Sequence, residues 1–169
     1  CLIKITGSRI NTYTTNLGTL TSAAAAATAA RWTAAHLTAA SATWLRALPK
    51  IIEMGDATLV HGSPREPLGE YIVDAAGAHE NLVALSTPIL FHGHTHTPAH
   101  WTLRAGRATS VAIDGAAQPL QVPSLVNLGS VGQPRDGDPR ACWVLWEHSD
   151  VEGTRLGSAT WRRVPYAIR

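Results

Sequence analysis

Four of the eight histidines, His92, His94, His96 and His100, fall within nine residues of one another. Neutral imidazole is a common ligand for divalent transition metals. His94 and His96 flank a single threonine in Gly93-His94-Thr95-His96, a spacing that allows the two rings to serve one ion or two neighbouring ions. A further histidine, His61, directly follows the apolar run Ala57-Thr58-Leu59-Val60, just as His92 follows Ile89-Leu90-Phe91. Ligands and catalytic groups collect at strand ends, where the sheet fixes the backbone and the next loop leaves the side chain accessible. A lone strand-end histidine such as His61 is more often structural, whereas the pair His94 and His96 beside a glycine favours a site.

The elements that must hold these residues follow from propensity and apolar pattern. Ala23 to Leu48 is built from good helix formers and predicts an Ala-rich helix, capped by Thr21 or Ser22, broken near Ala39–Ser41 and stopped by Pro49. Ile51–Ile52, Ala57–Val60 and Ile89–Phe91 are short apolar runs bounded by Gly, Pro and Ser, and predict strands. Between the second and third lies a loop, His61–Pro67, and then a moderately helical stretch to about Ser86. Beyond Pro98, Trp101–Arg104 and Arg107–Ile113 flank Ala105-Gly106 as a hairpin, and further strands are expected at Ser124–Asn127, Ala141–Glu147 and Gly157–Val164. A helix-bearing front and a strand-rich back predict a layered α/β or α+β fold.

At 169 residues, with 45% apolar and 15% charged side chains, the chain is long enough for one domain, 1–169, and is not disordered by composition. A net charge of +2 leaves no nucleic-acid footprint and no charge-driven membrane partner. Residues 10–30 are uncharged, but their apolar members are mostly Ala, which favours a soluble helix over a signal peptide or span. Cys1 and Cys142 make no metal-spaced or disulfide framework, so a cytoplasmic setting is expected. A chain that begins with Cys1 and not Met reads as a fragment.

Gly93-His94-Thr95-His96 followed by Pro98, with His61-Gly62 at an earlier strand end, resembles the calcineurin-like metallophosphoesterase superfamily. Asn127-Leu128-Gly129-Ser130-Val131-Gly132-Gln133-Pro134-Arg135, His61-Gly62-Ser63-Pro64-Arg65, Glu70-Tyr71 and Ala30-Arg31-Trp32-Thr33 resemble its compact bacterial branch of phosphodiesterases and diadenosine polyphosphate hydrolases. The resemblance runs from about Ser22 to the C-terminus. It implies a sandwich of two mixed sheets flanked by helices, with a two-metal centre at the sheet edges. By it, His61 and His94 bind one ion and His96 the other, the ions being divalent Mn, Zn, Fe or Ni. Arg65 and Arg135 lie in loops that it puts near the phosphate of a small-molecule phosphoester or nucleotide, where a guanidinium fork suits the ligand. It assigns no catalytic side chain beyond these. The implied reaction is hydrolysis of phosphate mono- or diesters.

The family also carries an Asp-x-His strand end, a Gly-Asp motif and a Gly-Asn-His motif, and none is present here. Gly55-Asp56 reads as a turn, and Asn11 and Asn16 are not followed by His. Residues 1–21 match no family segment, so the expectation is the C-terminal part of the domain, lacking its N-terminal strands and leaving a sheet edge unpaired. A non-catalytic relic of the fold, binding a metal or a partner, is the alternative. Asp136-Gly137-Asp138-Pro139 reads as turn chemistry, and His92 and His100 as supporting or surface groups. His36, His79 and His148 carry no site signal, and the six Trp read as core and hairpin packing.

Overall fold

Continuous apolar runs form strands buried on both faces, the signature of parallel sheet covered on each side. The computed structural model of the chain describes residues 2–5, 11–13, 24–148 and 157–167. Among them, one sheet holds β3 (Ile51–Met54), β4 (Ala57–Val60), β5 (Ile89–His92), β6 (Ala99–Arg104), β7 (Arg107–Ser110) and β9 (Ser124–Asn127) in the order β3-β4-β5-β9-β6-β7. The second sheet holds β1 (Leu2–Ile5), β2 (Asn11–Tyr13), β8 (Gln118–Pro119), β10 (Ala141–Glu147) and β11 (Ser158–Val164) in the order β2-β1-β10-β11-β8. The expected layered two-sheet α/β architecture is present.

The first sheet places the site. β4, β5 and β9 run parallel and side by side, with every residue of each buried, and the register pairs Leu59 with Phe91 and His92 with Asn127. Their C-terminal ends therefore deliver His61, Gly93-His94 and Asn127 to one sheet edge. The crossover from β4 to β5 carries α3 (Ala75–Ala84), whose start is capped by Asp74 accepting from the Gly77 amide at 2.8 Å. Ala78 and Leu82 of α3 pack with Val60, Ile72, Leu90 and Leu125 on one face of this sheet. On the other face, Leu59, Ile89, Phe91, Val126 and Leu128 meet Val144, Trp146, Ala159 and Trp161 of the second sheet. Phe91 and Trp146 lie 5.2 Å apart between ring centroids in that inter-sheet core.

Four expectations change. The N-terminal segment, left without assignment by its sequence, supplies β1, which pairs in parallel with β10 (Ile3 opposite Val144), and β2, which pairs antiparallel with β1. One edge of β10 is therefore paired, and nothing local in Leu2–Ile5 announces a partner some 140 residues away. The helix break falls at Leu37-Thr38, between α1 (Ala24–His36) and α2 (Ala39–Arg46), because extended Thr38 caps α2 by accepting from the Ser41 amide at 3.1 Å. The expected caps Thr21 and Ser22 lie outside the described residues. Trp146 and Trp161 are core residues as expected, but Trp32 and Trp44 on the two helices are 63% and 46% exposed. His100 is fully buried and not a surface group, its ring 5.8 Å from that of Trp161.

Phe91 both fills the inter-sheet core and immediately precedes the histidine segment, so its truncation measures what holds that segment in place. Phe91→Ala is expected to lower unfolding free energy by about 3–5 kcal/mol. Urea denaturation at neutral pH checks this, and a loss below about 1 kcal/mol would contradict the packing described.

Candidate functional site

The chain leaves β5 into a turn that ordinary residues avoid. His94 and His96 have φ values of 63° and 61°, and the other non-glycine residue with positive φ among the described residues is Ala105 in the β6–β7 turn. Each such residue costs about 1–2 kcal/mol in that left-handed region, and strain of this kind persists only where surrounding contacts over-determine it. Those contacts are present. The Gly93 amide donates to the His61 carbonyl at 2.9 Å, tying the ends of β4 and β5 together. Asn127, fully buried, donates through Nδ2 to the Gly93 carbonyl and to Thr95 Oγ1, both at 2.9 Å. Its Oδ1 accepts from the Gly129 amide at 3.0 Å. Gly129 itself sits at φ 73°, where a Cβ would meet Cys142 Cβ and Sγ at 2.9 Å, so glycine is required there. Sequence reasoning assigned no role to Asn127; the available signal was a polar residue ending an apolar strand, just before a glycine.

The turn brings the expected histidines together. His61 Nε2 lies 2.9 Å from His94 Nδ1. Burial, and then the neighbouring His94, push the His61 imidazole down to about 4. Burial also lowers His94, an effect opposed by a hydrogen bond with the Gly69 backbone and reinforced by the charge of Arg135. His96 donates through Nδ1 to the Gln133 carbonyl at 2.8 Å, which leaves Nε2 as the nitrogen with a lone pair. Its affinity for protons is also reduced, chiefly by burial. Behind them, burial takes His92 down to about 3. All four imidazoles are thus held neutral, the state in which they bind metals.

The two arginines part company. Arg135 lies beside His94 and His96, its amide donating to the His96 carbonyl at 3.1 Å and its guanidinium to Gln133 Oε1 at 3.2 Å. Arg65 is committed to carboxylates, pairing with Glu70 and donating to Glu80 Oε2 at 2.6 Å. Glu70 also accepts from Ser63 Oγ and, at 3.4 Å, from Asn81 Nδ2. The Asp136–Asp138 segment is a turn, as expected, its carboxylates paired with Arg163 and Arg140.

The donor set fits a single divalent ion better than two. Two nitrogens 2.9 Å apart have about the separation of ligands at right angles around a shared ion about 2.0–2.1 Å from each, and must spread by a few tenths of an ångström for a tetrahedral one. Among the described residues, no group of three or more His, Cys, Asp or Glu side chains gathers as a metal-binding cluster. Neutral imidazoles alone leave two dications without anionic compensation.

The buried neutral histidines also set a pH dependence. His61, His92 and His100 have folded values of about 4, 3 and 4, below the ordinary 6.5. The unfolded chain therefore binds more protons below pH 6.5, so stability is full above that value and declines from there through about pH 4. Urea midpoints measured at pH 7, 6 and 5 should fall in that order, and a flat profile would contradict the burial of these rings as neutral groups.

No protein-family model and no curated protein matches the chain. Among solved structures, it is similar to a metallophosphoesterase from Sphaerobacter thermophilus, with 35% identity and a TM-score of 0.69 over 89% of this chain and 62% of that one. It is also similar in fold to a hypothetical protein from Pyrococcus horikoshii OT3, with 18% identity and a TM-score of 0.56 over 82% of this chain and 49% of that one. The chain thus spans less than two thirds of either structure's length. No helix among the described residues is long and apolar enough to cross a membrane. Two layered sheets, histidines gathered at the ends of parallel strands and a likeness to a 35% identical metallophosphoesterase over 89% of this chain together place it in the calcineurin-like metallophosphoesterase superfamily.

Proposed function

We propose that the chain carries the imidazole half of a metal-dependent phosphoesterase that hydrolyses phosphate mono- or diesters of small molecules, nucleotides among them. The observation that supports this most is the strained turn: His94 and His96 are both held at positive φ by the buried Asn127 amide, with His94 Nδ1 2.9 Å from His61 Nε2. Backbone strain of this kind at a cluster of neutral imidazoles is expected where preorganisation serves chemistry.

In this reading His61 and His94 hold one divalent ion, of Mn, Zn, Fe or Ni, and His96 contributes its free Nε2 to a second. Such ions orient a phosphoryl group, stabilise its transition-state charge and furnish hydroxide at neutral pH. Arg135 meets the phosphate. Arg65, tied to Glu70 and Glu80, braces the loop after His61. A two-ion centre needs carboxylates beyond these imidazoles, and the chain spans 62% of the Sphaerobacter structure's length. A cytoplasmic setting accompanies this reading, in keeping with the buried, free thiol of Cys142. A second reading, a non-catalytic remnant that binds one ion or a partner, is favoured by the missing cluster of three ligands among the described residues.

Calorimetric titration with zinc or manganese should give one weak site, lost on His94→Ala or His61→Ala, and Asn127→Ala should weaken it about 10–100-fold by releasing the turn. Two tight sites, or full affinity in His94→Ala, would contradict the ligand assignment. Supplied with a family N-terminal half bearing the three missing motifs, the chain should hydrolyse bis-nitrophenyl phosphate with metal. Metal uptake without hydrolysis in that hybrid would favour the remnant.

A further inference from the structure

Tyr71 has no part in the ligand set above, yet its ring packs against that of His94 with centroids 3.9 Å apart and planes at 36°. The contact is not a by-product of core packing, since Tyr71 is 46% exposed. His94 lies in a turn and not within a strand, so no sheet neighbour on either side sets the direction of its ring. What meets the ring is His61 Nε2 at one edge, the Gly69 backbone, and Tyr71 on its face.

The residues on both sides of Tyr71 are anchored. Ile72 is buried with Val60, Ala78 and Leu82. Glu70 takes hydrogen bonds from Ser63, Arg65 and Asn81, so its carboxylate fastens the loop after β4 to α3. Gly62 and Ser63 close the same loop from within, their amides donating to the Pro67 and Glu66 carbonyls at 2.8 and 3.2 Å. A ring presented from a segment fixed at both ends can hold its neighbour's orientation at little further entropic cost.

We propose that Tyr71 is a positioning residue, which fixes the His94 imidazole in the orientation that brings its Nδ1 to His61 Nε2 and so presets the pair for a shared ion. The proposal rests on the reading of His61 and His94 as ion ligands. The aromatic face is what the role requires, so phenylalanine should serve and an aliphatic side chain of similar bulk should not.

The test uses the full chain as wild type, Tyr71→Phe and Tyr71→Leu, with two readouts. The first is the ring ¹⁵N shifts of His61 and His94 without metal, which report the hydrogen bond between them. The second is affinity for zinc alone by calorimetry. Tyr71→Phe should keep the wild-type shifts and affinity. Tyr71→Leu should move both rings to tautomer-averaged shifts and bind zinc about tenfold more weakly, with an unchanged thermal midpoint. Wild-type shifts and affinity in Tyr71→Leu would overturn the proposal. Tyr71-dependent shifts in a wild-type chain that takes up no zinc would instead overturn the ion reading while supporting the hold of Tyr71 on His94.

Discussion

The site depends on one buried amide. Asn127 ends β9 beside His92 and spends its side chain on the turn that carries His94 and His96, donating to Gly93 and Thr95 while accepting from Gly129. Its backbone carbonyl accepts from Trp161 Nε1 at 2.8 Å, so the same residue joins the first sheet to β11 of the second. A buried amide that is satisfied at both ends is worth more than its separate bonds, because leaving either end unpaired costs the full desolvation of that group. The strained backbone at His94 and His96 therefore relaxes only by breaking bonds in the interior.

Around that amide the charge set beside His94 and His96 is that of an arginine. Carboxylates are present, but they are occupied elsewhere: Glu70 by Arg65, Asp136 by Arg163 and Asp138 by Arg140. Arg135 is the cation beside His94 and His96, and its charge, with burial, disfavours protonation of both rings. The result is a group of lone-pair donors with a guanidinium beside them, a combination suited to a cation and an oxyanion together. Tyr71 and the Glu70 clamp add rigidity from the loop after β4.

Much of this was legible in the residues, and the limits have physical causes. The strand-end positions of His61 and His92 could be read because Ala57–Val60 and Ile89–Phe91 are short, mainly apolar runs, and buried parallel strands leave that mark. The Gly-His-Thr-His spacing marked the site, but not the positive φ of its histidines, which is imposed by Asn127 from another strand. Arg65 and Glu70 are five residues apart in irregular backbone, where no periodicity predicts a pair. The parallel pairing of Leu2–Ile5 with β10 is likewise non-local, and no short-range pattern announces it. The exposure of Trp32 and Trp44 runs against the ordinary preference of tryptophan, and nothing in the helical pattern of Ala24–Arg46 distinguishes them from core residues.

Whether His61 and His94 share one ion is read most plainly from X-ray absorption at the zinc edge on the chain loaded with one equivalent of zinc. Imidazole scattering from two histidines is expected, with nitrogens at about 2.0–2.1 Å, and it should be lost together with the site in His94→Ala. A first shell of oxygens without imidazole scattering, or a spectrum that His94→Ala leaves unchanged, would contradict a shared ion.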